Sequence, residues 1–185
     1  MWFVDEPEFV RVYVDDHLNM DRLLAALRTH KWQKTHLQTN IVPPKDRETK
    51  VYKSGNSMTT IKRGIYSQSL KKGTLYELIM AFAPERPEGD WRITINQNIQ
   101  CYPHQDRGNV GNSFIMFLGE YEGGELCFET GRIVSERGKW HEIDGSVTHW
   151  NTPITSGVRY SIILFNKAAS ARFGIGSQLQ ATLET

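Results

Sequence analysis

The chain has 185 residues, the length of a single domain, and 39% of them are apolar, which allows a sizeable buried core. Charged residues make up 23%, and no apolar run reaches the ~18 residues that a membrane span needs. Two cysteines are too few for a disulfide scaffold, and the acidic start MWFVDEPEF does not fit a secretory signal. We therefore expect one intracellular domain, nuclear or cytoplasmic, that is monomeric and not bound to a membrane.

The N-terminal part predicts a strand, a helix and a loop in turn. Alternation in EFVRVYV indicates a strand over residues 8–14, and the helix after it is expected to be capped by Asn19 or Asp21. The apolar stripe of this helix consists of Leu23, Leu24 and Leu27. Pro-Pro and Ser-Gly pairs predict a surface loop over residues 41–57. The segment MTTIKRGIYS, residues 58–67, fits a short strand or a loop entering the site.

A second helix is predicted from residue 74. Thr74 and Glu77 have the spacing of a capping box, and Pro84 is expected to end the helix. The apolar face of this helix consists of Leu75, Leu78, Ile79 and Phe82. Residues 1–90 are thus predicted to form a helical layer that precedes a β-rich half.

This N-terminal layer is strongly basic, although the net charge of the whole chain is only +1. Residues 22–72 contain twelve Lys or Arg and two acids. Trp32, Tyr52 and Tyr66 are interleaved with these cations. Such a segment is typical of a surface that binds a phosphate backbone, but a solvated face with mobile lysines has the same composition, so both interpretations stay open.

From residue 91 onward the sequence predicts one short strand after another. The predicted runs are WRITINQNIQCY, SFIMFLGEY, LCFET, RIVSE, KWHEID, SVTHW and RYSIILFN, with frequent turns that contain glycine between them. Residues 122–125, Glu-Gly-Gly-Glu, predict a tight hairpin, and Gly131 predicts a second turn. Because no helix interrupts this series, we expect an α+β, mainly β fold with a jelly-roll core over residues 91–167 and a tail over residues 168–185.

A candidate metal site lies in CYPHQDRGNVGN. His104 and Asp106 are two residues apart, and on an extended chain such side chains point to the same face. His149, in DGSVTHWNTP, is the best candidate for a third ligand. Two histidines and one carboxylate with open coordination positions form the arrangement of non-haem Fe(II) oxygenases. Each residue alone also fits a solvated turn or a hydrogen-bonded structural histidine, so the prediction depends on the complete set.

Arg159 is the second chemical signal, because it precedes the apolar run of a strand. A guanidinium there is costly to bury unless an anion meets it. With Ser161 on the same face, Arg159 could hold a small carboxylate by a bidentate ion pair and a hydroxyl hydrogen bond.

The order His-x-Asp, His, Arg-x-Ser resembles that of the 2-oxoglutarate/Fe(II)-dependent dioxygenases, whose core is a double-stranded β-helix. Within them the chain is most similar to the TET/JBP group, which oxidises the 5-methyl group of cytosine or thymine in nucleic acid. Residues 104–109, HQDRGN, match the His-x-Asp-x-x-Asn of that group, and residues 149–153, HWNTP, are similar to its His-Ala-Thr-Thr-Pro. Residues 119–126, GEYEGGEL, also resemble a run found in many members. The resemblance covers residues 91–167.

The resemblance implies Fe(II), the cosubstrate 2-oxoglutarate and O₂. The implied iron ligands, and with them the catalytic residues, are His104, Asp106 and His149. The far carboxylate of 2-oxoglutarate would bind Arg159 and Ser161. The partner of its C1 carboxylate is not marked, and the candidates are Arg63, Arg92, Asn96 and Asn98.

The resemblance also implies a nucleic-acid substrate, DNA in the first place, with RNA or a free nucleoside as alternatives. Asn109 would contact the edge of the base, and Phe165 would stack on it. Phosphates would be contacted by Lys45, Arg47, Lys50 and Lys53. Asn109 also fits a turn residue and Phe165 a core residue.

Two other functions remain open from the sequence. The first is the same oxidation of a small molecule or a protein side chain, which the absence of a cysteine-rich zinc region allows. The second is a jelly-roll binding module without catalysis, against which the complete His104, Asp106, His149 and Arg159 set argues.

Overall fold

The computed structural model describes residues 16–33, 36–37, 40–42, 49–52, 58–61 and 64–167. The helices of these residues are α1 (Asp16–Thr29) and α2 (Thr74–Ala81). The strands are β1 (His36–Leu37), β2 (Thr49–Tyr52), β3 (Met58–Ile61), β4 (Tyr66–Leu70), β5 (Trp91–Gln97), β6 (Ser113–Leu118), β7 (Tyr121–Gly123), β8 (Leu126–Phe128), β9 (Ile133–Val134), β10 (Trp140–Ile143), β11 (His149–Asn151), β12 (Ile154–Gly157) and β13 (Tyr160–Asn166).

Both predicted helices are present, but the residues predicted to cap their N-termini do not do so. Helix α1 begins at Asp16, so Asn19 and Asp21 lie inside the helix and neither caps it. Helix α2 is capped by Gly73, with a φ of 100° and no side-chain cap hydrogen bond, so the predicted capping box of Thr74 and Glu77 is wrong. Thr74 is the first helical residue, one position too late to act as the cap.

The main sheet has five antiparallel strands in the order β10-β6-β13-β5-β4. Strand β13 is central, and Ile162 pairs with Ile95 on one side and with Met116 on the other. Because side chains alternate along a strand, every second residue of this sheet faces the helices. The core between this face and the helices contains Leu23, Leu27, Leu70, Ile79, Ile93, Ile95, Met116, Leu118, Tyr160, Ile162 and Leu164.

The opposite face of the main sheet is covered by shorter strands, in the sheet β11-β8-β9 and the pair β12-β7. The interior between the two layers is a second apolar core of Ile115, Phe117, Tyr121, Leu126, Phe128, Val134 and Ile143. Two layers of antiparallel strands around one interior, with two helices outside, make the predicted α+β, mainly β, double-stranded β-helix fold, which is confirmed. No helix of the described ranges is long and apolar enough to cross a membrane.

The predicted hairpin at residues 122–125 is wrong. Strand β7 pairs with β12, whereas β8 pairs with β11 and β9. Gly123 and Gly124 have φ values of 72° and 74°, and a Cβ at Gly123 would lie 2.1 Å from the carbonyl oxygen of Pro153. The two glycines therefore let the chain cross from one strand pair to the other. The turn at Gly131 is confirmed, because its N–H donates to Phe128 O at 2.9 Å between β8 and β9.

The segment between the helices forms a three-stranded sheet in the order β1-β3-β2. Residues 49–52 form a strand, so the predicted loop over 41–57 is wrong at these four positions. The strand alternative for 58–67 holds at residues 58–61 and at 66–67, where β4 begins. The predicted strand at 8–14 and the tail at 168–185 lie outside the described residues.

Candidate metal centre

The structure brings His104, Asp106 and His149 together. Their potential ligand atoms all lie within 4.8 Å of one another. Nε2 of His104 is 3.6 Å from one carboxylate oxygen of Asp106, and Nε2 of His149 is 3.8 Å from the other. The carboxylate thus faces both imidazoles at a spacing that leaves room for an ion between the three groups.

Backbone pairing of two distant segments sets this geometry. His104 and His149 form an antiparallel bridge in which each N–H donates to the other carbonyl at 3.0 Å. Farther along, the N–H of Asp106 donates to Gly145 O at 2.8 Å. The segment 101–106 therefore runs beside β11 and its preceding turn, and the spacing of two residues places Asp106 on the same face as His104.

Both histidines present the same nitrogen to the candidate metal position. Nδ1 of His104 lies 2.7 Å from Tyr102 O, and Nδ1 of His149 lies 2.8 Å from Val147 O. Because a carbonyl oxygen can only accept, each Nδ1 must carry the proton. Nε2 is then the nitrogen with a free lone pair, and this orientation by a carbonyl is typical of metal-bound histidine.

Gly145 leaves room for the carboxylate of Asp106, a role that was not predicted from the sequence. A Cβ at this position would lie 3.1 Å from both Cβ and Oδ2 of Asp106. The preceding Asp144 accepts hydrogen bonds from the N–H and the hydroxyl of Ser146 at 2.9 and 2.6 Å, and these bonds lower the pKa of Asp144. The Asp-Gly turn therefore both aims β11 and allows close approach of Asp106.

Arg159 is buried, with 2% of its surface exposed, beside a cavity of about 750 Å³. Its two terminal nitrogens donate to the carbonyl oxygens of Gly124 and Ile99, and its Nε has no hydrogen-bond partner. Burial lowers the pKa of Arg159 to about 10, so the guanidinium stays charged at neutral pH. Within the described parts of the chain, no ion pair includes Arg159. The Glu125 carboxylate raises the pKa of Arg159 but forms no ion pair with it, and a buried cation without a direct counter-ion predicts an anionic ligand.

Further polar groups line the same cavity near Arg159. Ser161 is 4% exposed, and its hydroxyl accepts a hydrogen bond of 3.2 Å from the amide of Asn96, itself 6% exposed. Cys101 also lines the cavity, and burial raises its pKa to about 11, so it is a neutral thiol near pH 7. The end of the cavity at Arg159 thus carries a permanent cation together with neutral polar groups, a composition suited to a carboxylate.

The cavity joins the metal position, Arg159 and the two candidate base contacts. Asn109 and Phe165 both belong to its lining. Among the described residues the side-chain amide of Asn109 makes no hydrogen bond, which disfavours its alternative role as a turn cap. Phe165 is half-buried and belongs to neither large apolar core, which disfavours its alternative role as a core residue. All seven predicted residues from 104 to 165 therefore line one space, namely His104, Asp106, Asn109, His149, Arg159, Ser161 and Phe165.

The remaining predicted residues lie elsewhere or outside the described residues, with the exception of Asn96. Arg92 forms a surface ion pair with Asp90 at 2.6 Å and does not line the cavity. Of the candidates for the C1 carboxylate, only Asn96 belongs to the lining, whereas Arg63 lies outside the described residues. The predicted phosphate contacts Lys45, Arg47 and Lys53 also lie outside them, as does the side chain of Lys50.

Asn98 is a further residue of the site whose role the sequence did not reveal. Its φ of 53° makes it the one non-glycine residue with a positive φ among those described. Its side chain accepts from the N–H of Arg159 at 2.8 Å and donates to Gly64 O at 3.2 Å. Its backbone N–H donates to Arg159 O at 2.8 Å, and the next residue, Ile99, supplies a carbonyl to the guanidinium. Asn98 therefore holds the backbone of Arg159, and the carbonyl of the following residue, Ile99, holds its guanidinium.

We expect Asn98→Ala to lose more stability than Asn98→Gly. Alanine at a left-handed φ costs about 1–2 kcal/mol, whereas glycine adopts it freely, and both variants lose the side-chain hydrogen bonds equally. At most positions the order is the reverse, because glycine is the more flexible residue in the unfolded chain. Urea denaturation of the two variants measures this difference. An alanine variant as stable as the glycine variant would show that Asn98 carries no backbone strain.

Comparisons with known proteins give the following matches. No family model and no curated protein matches the chain. Among solved structures, an oxidoreductase of the 2OG-Fe(II) oxygenase family from Burkholderia pseudomallei is 16% identical with a TM-score of 0.49, over 82% of this chain and 80% of that one. A Pseudomonas putida prolyl-4-hydroxylase is 14% identical with a TM-score of 0.40, over 81% of this chain and 100% of that one.

A third match is NgTET1 in complex with 5mC DNA, at 20% identity and a TM-score of 0.38. It covers 41% of this chain, which spans only 33% of the NgTET1 chain. At such identities and TM-scores these similarities do not decide the activity of this chain. The function is therefore inferred from the geometry of its own site.

Proposed function

We propose that the chain is an Fe(II)- and 2-oxoglutarate-dependent dioxygenase that hydroxylates the 5-methyl group of a nucleic-acid base, 5-methylcytosine or thymine in DNA. The observation that carries the proposal is the cavity itself. It joins three convergent metal-ligand groups to a buried, charged arginine that has no anionic partner among the described residues. The ligand set supports iron, and the isolated guanidinium supports a carboxylate cosubstrate.

The residues present fit these groups. His104, Asp106 and His149 would hold the metal through two imidazole nitrogens and one carboxylate oxygen, and the carbonyls of Tyr102 and Val147 keep both imidazoles in the binding tautomer. Arg159 and Ser161 would bind the far carboxylate of 2-oxoglutarate. Bound Fe(II) with 2-oxoglutarate and O₂ supplies the oxidation, in which the cosubstrate becomes succinate and CO₂ and one oxygen atom enters a C–H bond of the substrate.

The remaining cavity wall supports a planar, polar substrate. Phe165 offers an aromatic face on which a base can stack, and Asn109 offers an amide with free donors and an acceptor for the edge of that base. A base inside a duplex could not reach this cavity, so the substrate must be flipped out or single-stranded. Ile115, Phe117 and Ile163 give the cavity an apolar wall on the side that faces the second apolar core.

Two measurements test the proposal in sequence. Release of succinate from 2-oxoglutarate, dependent on Fe(II) and O₂, tests the reaction class. Mass spectrometry of nucleosides after incubation with methylated and unmodified DNA tests the substrate. Succinate release without any modified nucleoside would refute the base-oxidation part and direct the search to small-molecule and protein substrates. Absence of both would refute the enzyme proposal.

Substitution of Asn109 separates substrate binding from cosubstrate chemistry. We expect Asn109→Ala to slow base oxidation roughly three- to tenfold, the value of one neutral hydrogen bond. Substrate-independent conversion of 2-oxoglutarate to succinate should stay unchanged, because the Asn109 side chain forms no hydrogen bond to the metal ligands or to Arg159. The backbone bridge of Asn109 to Lys167 does not involve its side chain, so the fold should be preserved. Equal rates of base oxidation in the variant and the parent protein would leave Asn109 without a role in recognition.

A further inference from the structure

Two cationic side chains of the cavity wall have no role in the proposed reaction. Arg107 and Lys167 both belong to the lining that contains Asn109 and Phe165. None of the ion pairs formed within the described ranges includes either cation. The acid of this lining is Asp106, whose two oxygens face the imidazoles of His104 and His149 rather than these cations.

The backbone holds the two cations close together. Asn109 and Lys167 form an antiparallel bridge, and the N–H of Val110 donates to Asn166 O at 2.9 Å. A Cβ built on Gly108 would lie 3.4 Å from Nζ of Lys167, so the ammonium group sits beside the residue that follows Arg107. The N–H of Lys167 donates to Asp90 O at 3.0 Å, which fixes its backbone from the other side.

Their position relative to the candidate base contacts follows from the chain itself. Arg107 precedes Asn109 by two residues, and Lys167 follows Phe165 by two residues on the continuation of β13. Residues two apart on an extended segment point to the same side, which accounts for the presence of Phe165 and Lys167 in one cavity wall. Each base contact is thus flanked by one cation.

We propose that Arg107 and Lys167 form a phosphate-binding pair that holds the phosphate of the nucleotide whose base enters the cavity. This inference rests on the proposed function, because it takes the base contacts as given. A phosphate bound between the two side chains would pair with both positive charges. Arg107 can bind two phosphate oxygens with its planar group, whereas Lys167 acts as a point charge.

Binding measured without turnover tests this pair. The Fe(II)- and 2-oxoglutarate-loaded protein is titrated in the absence of O₂ with 5-methyl-2′-deoxycytidine, with its 5′-monophosphate and with a single-stranded oligonucleotide containing it, and a thymidine series runs in parallel. The test variant is Arg107→Gln with Lys167→Gln. The matched control is Arg132→Gln with Lys139→Gln, which removes the same charge from two exposed positions that lie outside the basic segment 22–72 and do not line the cavity.

We expect the test variant to bind the phosphate-bearing ligands about tenfold or more weakly, since each residue contributes a charged hydrogen bond. The affinity for the nucleoside should not change, and the salt dependence of oligonucleotide binding should fall by a slope of about 2. A loss for both phosphate-bearing ligands supports a site for one nucleotide phosphate. A loss for the oligonucleotide alone supports a site for the polymer backbone.

Three results would overturn the pair: an equal loss for the nucleoside, an equal loss in the control variant, or unchanged binding of every phosphate-bearing ligand. The last result combined with succinate release would refute the phosphate pair and leave the oxygenase intact. Phosphate-dependent binding without succinate release would support the phosphate pair and refute the oxygenase.

Discussion

Asp106→Ala should abolish both iron retention and succinate formation. The carboxylate of Asp106 lies 3.6 Å and 3.8 Å from Nε2 of His104 and His149, so its removal leaves two imidazoles and no anionic ligand. Disturbing an outer-shell partner of a metal ligand already costs about 10–100-fold, and we expect the loss of a ligand itself to exceed that. Metal content after desalting and succinate yield measure the two effects.

The Asp106→Ala variant should still fold, so its loss of iron would report on the metal site itself. His104 and His149 are held by two backbone hydrogen bonds of 3.0 Å that do not involve the Asp106 side chain. Fe(II) should raise the thermal stability of the parent protein and leave that of Asp106→Ala unchanged, because a ligand stabilises only the state that binds it. Glu136→Gln is a suitable control, since it removes an exposed acid that is paired with Lys139 and does not line the cavity. Iron bound by Asp106→Ala as tightly as by the parent protein would refute the metal assignment.

The closeness of His104 and Asp106 could be predicted from the sequence because it depends on alternation alone. His104 and Asp106 share a face wherever the segment is extended, whatever its partner strand. The approach of His149 depends on the bridge between two segments 45 positions apart, and the sequence supported it only through the resemblance to known motifs. Each imidazole is oriented by the carbonyl two residues earlier, which is a short-range contact. It nevertheless depends on backbone angles that cannot be predicted from the residue types.

The errors of the sequence analysis have the same physical origin. The Gly-Gly pair at 123–124 correctly signalled positive φ, but a turn signal does not specify which strands pair, and β7 and β8 pair with β12 and β11 instead of each other. Asn98 was considered only as a carboxylate contact, because its actual function depends on Arg159, 61 residues away. Long-range pairing, rather than local propensity, decides both cases.

Arg159→Ala should raise the KM for 2-oxoglutarate roughly 30-fold or more, because removing one partner of a buried charge pair has a cost of that size. Arg159 is 2% exposed, and its guanidinium is hydrogen-bonded to two backbone carbonyls. It forms no ion pair within the described residues, so a carboxylate ligand would be its direct counter-ion. Iron retention should be unaffected, because Arg159 is not among the clustered ligands. Steady-state kinetics with varied 2-oxoglutarate measures the effect, which should appear mainly in KM.

The difficulty with Arg159→Ala is that it also leaves the carbonyls of Gly124 and Ile99 without their donor, and a purely structural arginine would be costly to remove as well. Arg137→Ala is the matched control. Arg137 likewise donates to two backbone carbonyls, those of Gly119 and Tyr121, but it does not line the cavity. If Arg159 binds the cosubstrate, both variants lose stability and only Arg159→Ala changes KM. If both variants change stability and neither changes KM, Arg159 only supports the backbone at Gly124 and Ile99, and the cosubstrate binds elsewhere.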